Sequence, residues 1–460
     1  MQEGLHKIVS SEETIVAIST ALGYSGIGVV RISGPEAANI AGRFFRTSIS
    51  ELRHKIPAVG YWFDSRGQRI DQVIVTFFRA PHSYTGEDVI EISAHGNPFS
   101  LRRIVETIRI SEARLATPGE FTLRAVVHGK MDLLQAEAVR EYIEAQTEQQ
   151  SKTALRQMEG GVSKRLGPLK NRVVDLIARL EAGIDFAEDD VEVPSNAAVV
   201  EQIRSIQSEL DTVRATFGYG KLLSTGLKLP ILGKPNVGKS SLFNCLISAD
   251  RSIVTEIPGT TRDVLMETVS LDGVPLRFAD TAGVRETTDI VETIGVARTF
   301  ETLAESDYAL VVLDGSTCLD SDDRRILDKV ATLPHLIVIN KADLPQKIDL
   351  AGLVGRERVC VSARTRQGLD SLEGVLRAFL LKQKGDLADD VMLTNVRQYE
   401  AVSKAADALD TAGCALSDGI PHEMALLDLY GALGALNELT GEVVTEDILD
   451  RIFSTFCIGK

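Results

Sequence analysis

Short apolar runs alternate with helical periodicities over the first 128 residues of the chain. Runs rich in valine and isoleucine predict four short strands, at 14–20, 28–33, 73–78 and 89–93. Apolar residues spaced three and four positions apart predict helices over 35–46 and 98–110. The segment 117–120 offers an N-cap threonine, a proline at the first helical position and a capping-box glutamate, so it predicts a further helix start. This mixture predicts an α+β N-terminal domain.

From residue 130 to about 217 the pattern becomes helical. Two sets of apolar residues recur at three- and four-residue spacing: Leu134, Ala138, Tyr142 and Ala145, then Val173, Ile177, Leu180 and Ile184. The stretch 225–382 alternates strand-like and helical segments, which is typical of a parallel α/β sheet. Beyond residue 384 the chain reads as helical again.

Both helical stretches carry apolar faces that need a partner, so we predict one discontinuous helical domain with the α/β segment inserted between its halves. Insertion is feasible because the two ends of a domain often lie close together. The fold class is therefore multidomain, α/β plus all-α. The predicted boundaries are 1–128, 129–224, 225–382 and 383–460.

Composition and charge exclude several classes of protein. The 460 residues are 44% hydrophobic and 25% charged, as in ordinary globular proteins, and no apolar run is long enough for a membrane span. Five scattered cysteines without a C-x-x-C pair predict a reducing cytoplasm and neither disulfides nor zinc. The net charge of −15 argues against a protein that grips nucleic acid mainly through phosphates.

A phosphate-binding loop begins the inserted segment. The run from Gly233 to Ser240 fits the G-x-x-x-x-G-K-[ST] pattern, and it lies between a strand-like run at 227–232 and a helical pattern at 240–247. In such a loop, backbone N–H groups surround the phosphates. Lys239 would reach the β and γ oxygens, and the Ser240 hydroxyl would bind Mg²⁺.

Four further segments complete the pattern of a guanine-nucleotide site. In Asn340–Lys341–Ala342–Asp343, the carboxylate of Asp343 can accept hydrogen bonds from the ring N–H and the exocyclic amine of guanine, and adenine lacks these donors. The segment 362–364 follows a strand-like run and is placed to present backbone groups to the base. Asp280–Thr281–Ala282–Gly283 follows another such run, where a metal-side aspartate belongs. The segment 259–263 occupies the place of a switch. The insert is therefore predicted to be a Ras-like P-loop G domain.

Two residues depart from the Ras pattern of hydrolysis. Val284 stands where Ras-type enzymes hold the glutamine that orients the attacking water. Glu292 is the candidate replacement, although its alternative interpretation is an ordinary exposed helix glutamate. Asn236, inside the phosphate loop, is either a turn residue or a hard oxygen ligand for K⁺, with backbone carbonyls of Thr255 and Ile257 completing the shell. A K⁺ ion there would neutralise charge on the leaving group.

Across its whole length the chain resembles the MnmE (TrmE) family of tRNA-modification GTPases. The resemblance rests on the segments described above and on five more: 28–34, 83–88, 118–125, 130–138 and the ending Phe456–Cys457–Ile458–Gly459–Lys460. It implies an N-terminal tetrahydrofolate-binding and dimerisation domain, a helical domain in two pieces and an inserted G domain. It also implies a cytoplasmic homodimer without a membrane association.

The family's activity implies cofactors and partners. The resemblance implies K⁺-dependent GTP hydrolysis and a heterotetramer with the flavoprotein MnmG (GidA), which alone carries FAD. This complex installs a carboxymethylaminomethyl or aminomethyl group on the wobble uridine of tRNA. The one-carbon donor is a tetrahydrofolate derivative, in its 5,10-methylene or 5-formyl form.

The resemblance also implies roles for particular residues. Glu292 matches the glutamate of hydrolysis, and Cys457 matches a thiol near the modification site, although a plain buried cysteine is the alternative. The implied Mg²⁺ ligands are Ser240 and Thr261, and the implied K⁺ ligands are Asn236, Thr255, Ile257 and Thr260. The implied folate-binding residues are Arg31, Glu91, Lys130 and Lys460. The motifs and the resemblance together predict these GTP-binding residues: Asn236, Val237, Gly238, Lys239, Ser240, Ser241, Thr255, Thr260, Thr261, Asp280, Thr281, Ala282, Gly283, Asn340, Lys341, Asp343, Ser362, Ala363 and Arg364.

Two other functions remain open at this point. A ribosome-assembly GTPase would carry a similar G domain, although such proteins usually have an RNA-binding appendage and the chain has neither a basic G-x-x-G module nor a basic tail. A purely regulatory GTPase switch would also fit the G domain.

Overall fold

The computed structural model describes residues 13–47, 53–185, 195–249, 268–278, 306–384, 391–443 and 445–460. The N-terminal part is a seven-stranded sheet with the order β3-β4-β5-β6-β2-β1-β7. The strands are β1 Ile15–Ile18, β2 Ser25–Ser33, β3 Phe45–Arg46, β4 Ala58–Phe63, β5 Arg69–Phe78, β6 Val89–Gly96 and β7 Arg114–Leu115. All neighbours pair antiparallel except β1 and β7, which are parallel.

Two helices pack on this sheet and share an apolar core with it. A third helix follows β7. The helices are Ala37–Phe44, Pro98–Arg109 and Glu120–Val127. Residues from the first two helices and from alternate positions of the strands form one apolar core that includes the fully buried Trp62. The indole N–H of Trp62 donates a 3.0 Å hydrogen bond to Thr107 Oγ1, so the one polar atom of this ring is satisfied inside the core.

The nucleotide-binding segment contains two sheets whose strands alternate along the chain. Strands β8 Leu227–Lys228, β10 Thr268–Leu271 and β11 Val274–Arg277 form the first, in the order β10-β11-β8. Strands β9 Ile231–Leu232, β12 Ala309–Asp314, β13 His335–Asn340 and β14 Arg358–Cys360 form the second, which is parallel, in the order β14-β13-β12-β9. Its helices are Phe217–Thr225, Lys239–Ala249, Ser321–Lys329 and Leu369–Lys384, with a 3₁₀ turn at Leu350–Leu353.

A helical core unites residues from both sides of the nucleotide-binding segment. Its helices are Leu133–Glu144, Glu148–Met158, Gly161–Asp185, Asn196–Ala215, Val396–Ser417 and His422–Thr440, followed by Glu446–Phe453. One apolar cluster contains residues from 134–213 and from 393–439, and residues 219–392 contribute to a different cluster. None of the helices in the described ranges is long and apolar enough to cross a membrane.

Three local predictions differ from the structure. The helix predicted over 35–46 ends at Phe44, and Phe45–Arg46 is a strand instead. The helix predicted to start at Thr117 begins at Glu120, because Gly119 has φ +69 and interrupts the helical path. The strand-like run 227–232 is divided into β8 and β9, since Pro230 has no N–H to offer a neighbouring strand.

Candidate functional site

The phosphate loop leaves the end of β9 and enters the helix Lys239–Ala249, as the sequence predicted. Its turn requires positive φ at Asn236, at +64, and at Gly238, at +96. A Cβ atom at Gly238 would lie 2.2 Å from Asn340 Nδ2, so only glycine allows this close approach. Val237 is buried, Ser240 is half-buried, and Asn236 and Ser241 are exposed.

Asn340 connects the three loops that form the site. Its side chain is 2% exposed, and Nδ2 donates to the carbonyl of Val237 at 2.8 Å while Oδ1 accepts from the Ala363 N–H at 3.0 Å. These two bonds satisfy the buried amide and fix the phosphate loop against the 362–364 loop. The predicted segments around residues 236, 340 and 363 therefore converge in space.

The candidate base-recognition carboxylate, Asp343, is held by a neighbour. Ser362 Oγ donates a 2.6 Å hydrogen bond to Asp343 Oδ1, and the same hydroxyl accepts from the Thr365 N–H at 3.1 Å. The hydrogen bond from Ser362 holds the pKa of Asp343 below its usual value, with Arg364 and Lys341 contributing as nearby positive charges. Asp343 is therefore an ionised acceptor at neutral pH, which is what a guanine edge requires.

The lysine of the phosphate loop is folded back onto its own loop. Lys239 Nζ donates to the carbonyls of Gly233 at 2.8 Å and Lys234 at 2.7 Å. These carbonyls keep the ammonium beside the loop, where phosphate oxygens would replace them as partners.

Sequence reasoning missed Asp314, which lies at the carboxyl end of β12. Asp314 Oδ2 accepts a 2.6 Å hydrogen bond from Lys341 Nζ, and Oδ1 accepts from the N–H and the hydroxyl of Ser316. Burial opposes ionisation of Asp314, but these hydrogen bonds outweigh it and lower its pKa. The available signal was a carboxylate directly after the apolar run 309–313, which is typical of a buried strand.

Several predicted site residues lie outside the described residues. These are Thr255, Ile257, Thr260, Thr261, Asp280, Thr281, Ala282, Gly283 and Glu292, together with Val284 and the 259–263 segment.

A second polar cluster lies at the centre of the N-terminal sheet. Arg31 and Glu91 are directly opposite on β2 and β6, and Arg31 donates from Nε at 3.1 Å and from Nη2 at 2.8 Å to the same oxygen, Glu91 Oε1. The guanidinium lies over the rings of Tyr84, at 5.3 Å, and Phe121, at 5.6 Å. Among the described residues, Arg31 Nη1 is buried and has no hydrogen-bond partner, so this cluster is open to an additional acceptor.

The segment 457–460 returns to this cluster. Gly459 has φ +98, and a Cβ atom there would lie 2.4 Å from the carbonyl of Ile18 at the end of β1. Lys460 is consequently half-buried close to Arg31, and burial, together with the Arg31 charge, lowers the pKa of Lys460. Three predicted folate-site residues, Arg31, Glu91 and Lys460, thus lie together although they are distant in sequence.

The other two residues predicted for this region have separate surroundings. Lys130 Nζ donates to the carbonyl of Pro81 at 2.9 Å. Cys457 is exposed, so the alternative interpretation as a buried structural cysteine is wrong. Its carbonyl accepts from the N–H groups of Gly119, at 3.5 Å, and Lys460, at 3.3 Å.

An ion-pair network that involves helix Glu120–Val127, which carries Phe121, was also missed by sequence reasoning. Arg124 is fully buried and donates to Glu87, at 3.0 Å, and to Glu120, at 2.9 Å. Arg114 donates to Glu120 as well. Burial raises the pKa of Glu120, but the hydrogen bonds from Arg114 and Thr117 and the charge of Arg124 outweigh it and lower the value to about 2. The network fixes the helix Glu120–Val127 and therefore the Phe121 ring beside Arg31.

The fold and the first cluster define a P-loop guanine-nucleotide-binding protein. Family models described as the GTP-binding protein TrmE N-terminus and the MnmE helical domain match residues 14–130 and 133–457. The chain belongs to the MnmE family, and it is a GTPase.

Curated relatives match the chain over nearly its whole length. The tRNA modification GTPase MnmE of Koribacter versatilis is 44% identical over 454 residues, covering 98% of this chain and 99% of the relative. The corresponding protein of Aquifex aeolicus is 42% identical over 450 residues, covering 97% and 100%. Among solved structures, a variant of Aquifex aeolicus Era bound to GDP and aluminium fluoride matches 39% of this chain and 66% of its own, with 28% identity and a TM-score of 0.26.

Proposed function

We propose that this protein binds GTP among the phosphate loop, the 340–343 loop and the 362–364 loop, and hydrolyses it as part of tRNA modification. The observation that carries the nucleotide site is the pair of hydrogen bonds through which Asn340 joins Val237 to Ala363. The tRNA substrate is proposed because full-length relatives are named tRNA modification GTPases.

The loop residues have distinct proposed roles at the phosphates. Lys239 would exchange its two carbonyl partners for β- and γ-phosphate oxygens, and the half-buried Ser240 hydroxyl would bind Mg²⁺ together with Thr261. Bound Mg²⁺ neutralises charge on the β and γ oxygens. The narrow turn at Gly238 brings backbone N–H groups towards the same space.

Guanine recognition by Asp343 can be tested with a variant that prefers a hydrogen-bond acceptor instead of a donor at the 2-position of the base. Asp343→Asn replaces an acceptor oxygen with an amide donor, so it should weaken GTP binding and improve binding of XTP, whose 2-position is a carbonyl. Affinities of both nucleotides would be measured by competition on the full chain. Unchanged GTP affinity in the variant would contradict the assignment of the base site.

Hydrolysis is proposed to depend on Glu292 and on a K⁺ ion. The exposed amide of Asn236, at the positive-φ turn of the phosphate loop, is a suitable oxygen donor for an alkali cation. The remaining proposed ligands are Thr255, Ile257 and Thr260. GTP turnover measured in K⁺ and in Na⁺ at equal ionic strength tests this, since equal rates in the two salts would exclude a K⁺-specific site.

We propose that the second cluster binds a tetrahydrofolate derivative. Its chemistry suits a pterin with a glutamyl tail, because a carboxylate can accept from the donor edge of the ring and cations can bind the tail. The Glu91 side chain is 31% exposed, and both Arg31 bonds use Oε1 only. The unpartnered Nη1 of Arg31 and the nearby Lys460 ammonium are available to acceptors, and Lys130 is proposed as a further cation.

The role of Glu91 in folate binding can be distinguished from the effect of removing any negative charge from this domain. Glu91→Gln removes the acceptor for the ring and should lower the affinity for 5-formyltetrahydrofolate, measured by calorimetry, at least about tenfold. Glu106→Gln, on the exposed side of helix Pro98–Arg109 in the same domain, is the matched control and should bind normally. Equal affinities in the two variants would exclude Glu91 from the site.

The remaining proposals concern assembly and domain boundaries. We propose a homodimer through the N-terminal domains, and a heterotetramer with MnmG that modifies the wobble uridine, with Cys457 exposed near the folate cluster as a substrate-contacting thiol. A Cys457→Ser variant that kept both GTP hydrolysis and tRNA modification would exclude this role. The domain boundaries 1–128, 129–224, 225–382 and 383–460 are proposed from the sequence pattern, and the apolar cluster of the nucleotide-binding segment extends beyond both ends of the proposed insert, from Tyr219 to Met392.

A further inference from the structure

One helix of the helical core, Glu148–Met158, carries a stripe of buried polar residues. Gln150, Thr153 and Gln157 recur at three- and four-residue spacing and are 7%, 4% and 4% exposed. Thr147, the N-cap residue, precedes them on the same side. A helix that packed only to complete a core would place apolar residues at these positions, so the stripe calls for a specific explanation.

This polar stripe contacts the nucleotide-binding segment at one place and, at two others, the connections through which the chain enters and leaves that segment. Thr147 Oγ1 donates to the carbonyl of Gly273 at 2.6 Å. Gln150 Nε2 donates to the carbonyl of Ser224, at the end of the helix that leads into β8, at 3.0 Å. Gln157 Nε2 donates to the carbonyl of Met392, on the segment by which the chain returns, at 2.7 Å.

The turn at Gly273 has a special position in the chain. Asp272 and Gly273, with φ +52 and +84, form a tight two-residue connection between β10 and β11. In the sequence, β10 follows the proposed switch segment with Thr260 and Thr261, and β11 precedes Asp280 by three residues. The tip of this hairpin packs on Gln149, since a Cβ atom at Gly273 would lie 2.6 Å from Gln149 Cβ.

The side chains of the stripe suit an interface in which hydrogen bonds can change partners. Glutamine and threonine side chains both donate and accept, so they can exchange partners without leaving a buried group unsatisfied. A small cavity bordered by Gln150, Thr153, Ser224 and Thr394 lies beside the stripe. An apolar interface of the same size would be fixed by close packing instead.

We propose that helix Glu148–Met158, through Thr147 and the polar stripe, couples the nucleotide state of the GTP site to the helical core by its contact with the β10–β11 hairpin. This inference rests on the proposed GTP site. Because linkage is reciprocal, a contact that differs between the GTP and GDP states must also bias the relative affinities of the two nucleotides.

The test separates the interdomain hydrogen bond from helix capping. Thr147 Oγ1 also accepts from the Gln150 N–H, so Thr147→Asp keeps an N-cap acceptor but cannot donate to Gly273. Ser195→Asp is the matched control, because Ser195 caps helix Asn196–Ala215 within the helical core. Thr147→Ser keeps the hydroxyl group and should therefore retain both the bond to Gly273 and the bond from the Gln150 N–H. A second pair of variants removes the N-cap side chains. Thr147→Val loses both the cap and the hydrogen bond to Gly273, whereas Ser195→Ala loses only a cap.

The readout is the ratio of dissociation constants for a non-hydrolysable GTP analogue and for GDP, measured on the full-length protein. We expect this ratio to change at least about threefold in Thr147→Asp, the size of one lost hydrogen bond, and to stay at the parent value in Thr147→Ser and Ser195→Asp. An unchanged ratio in both Thr147→Asp and Thr147→Val overturns the coupling. A parent protein that bound neither nucleotide would instead overturn the GTP site itself.

Discussion

Two carboxylates on helix Leu133–Glu144, the buried Glu137 and the half-buried Glu141, have different surroundings, and Glu141 allows a quantitative prediction. Glu137 accepts hydrogen bonds from Arg397, at 2.7 and 3.0 Å, and from Asn395 and Gln398. Glu141, one turn later, accepts from the Thr394 hydroxyl at 2.8 Å, and a hydrogen bond from Ser224 and the charge of Arg140 also favour its ionised form. Burial, with a contribution from the Glu137 charge, raises the pKa of Glu141 to about 7, against a usual value of 4.5.

The raised pKa makes ionised Glu141 destabilising. The unfolded chain releases this proton near pH 4.5 and the folded chain only near pH 7, so the free energy of unfolding falls as the pH rises through this interval. At about 1.4 kcal/mol per pH unit, the loss amounts to about 3 kcal/mol. Its full extent is reached above pH 7, and the contribution is absent below pH 4.5, where both states are protonated.

Glu141→Gln keeps the shape and the hydrogen-bond acceptor but cannot ionise. We expect the variant to equal the parent in stability near pH 4.5 and to exceed it by up to about 3 kcal/mol at pH 8. The assay is denaturant unfolding followed by far-UV circular dichroism at several pH values. Glu144→Gln, an exposed change on the same helix, is the control for the loss of one negative charge.

The outcome for Glu141→Gln is decisive in both directions. Parent and variant curves that remain parallel from pH 5 to pH 8 would refute the argument, because they would show that Glu141 titrates normally in the folded protein. A loss of stability at all pH values would show that the carboxylate makes stronger hydrogen bonds than the amide can replace.

Three further predictions concern the two clusters. Gly238→Ala should weaken GTP binding about tenfold or more in a fluorescence titration, because the added Cβ displaces Asn340; normal binding would contradict the close approach. Asp314→Asn should raise the GTP dissociation constant about threefold through its partner Lys341, and the effect should vanish in a Lys341→Met background. Removal of Lys460 should weaken 5-formyltetrahydrofolate binding in calorimetry while GTP turnover stays at the parent rate, and equal folate affinity would exclude Lys460.

Features encoded by neighbouring residues were predictable. The phosphate loop between its strand and its helix, and the boundaries of helix Pro98–Arg109, depend on short-range patterns of glycine, proline and apolar spacing. β4 was missed because Gly60 interrupts its alternation. The structure gives the reason for this glycine, since a Cβ atom there would lie 2.5 Å from the carbonyl of Arg46 on β3.

The sequence by itself determined the class of nucleotide site and the alternation of helical and α/β segments, because each depends on residues close together in the chain. Only the tertiary structure decided which distant groups meet: Lys460 beside Arg31, Asp314 with Lys341, and Thr147 with Gly273. An apolar pattern specifies which face of an element is buried, but it does not specify the partner. The partners of buried polar groups depend on how whole elements pack, so hydrogen bonds that span more than a hundred residues could not be predicted from local sequence.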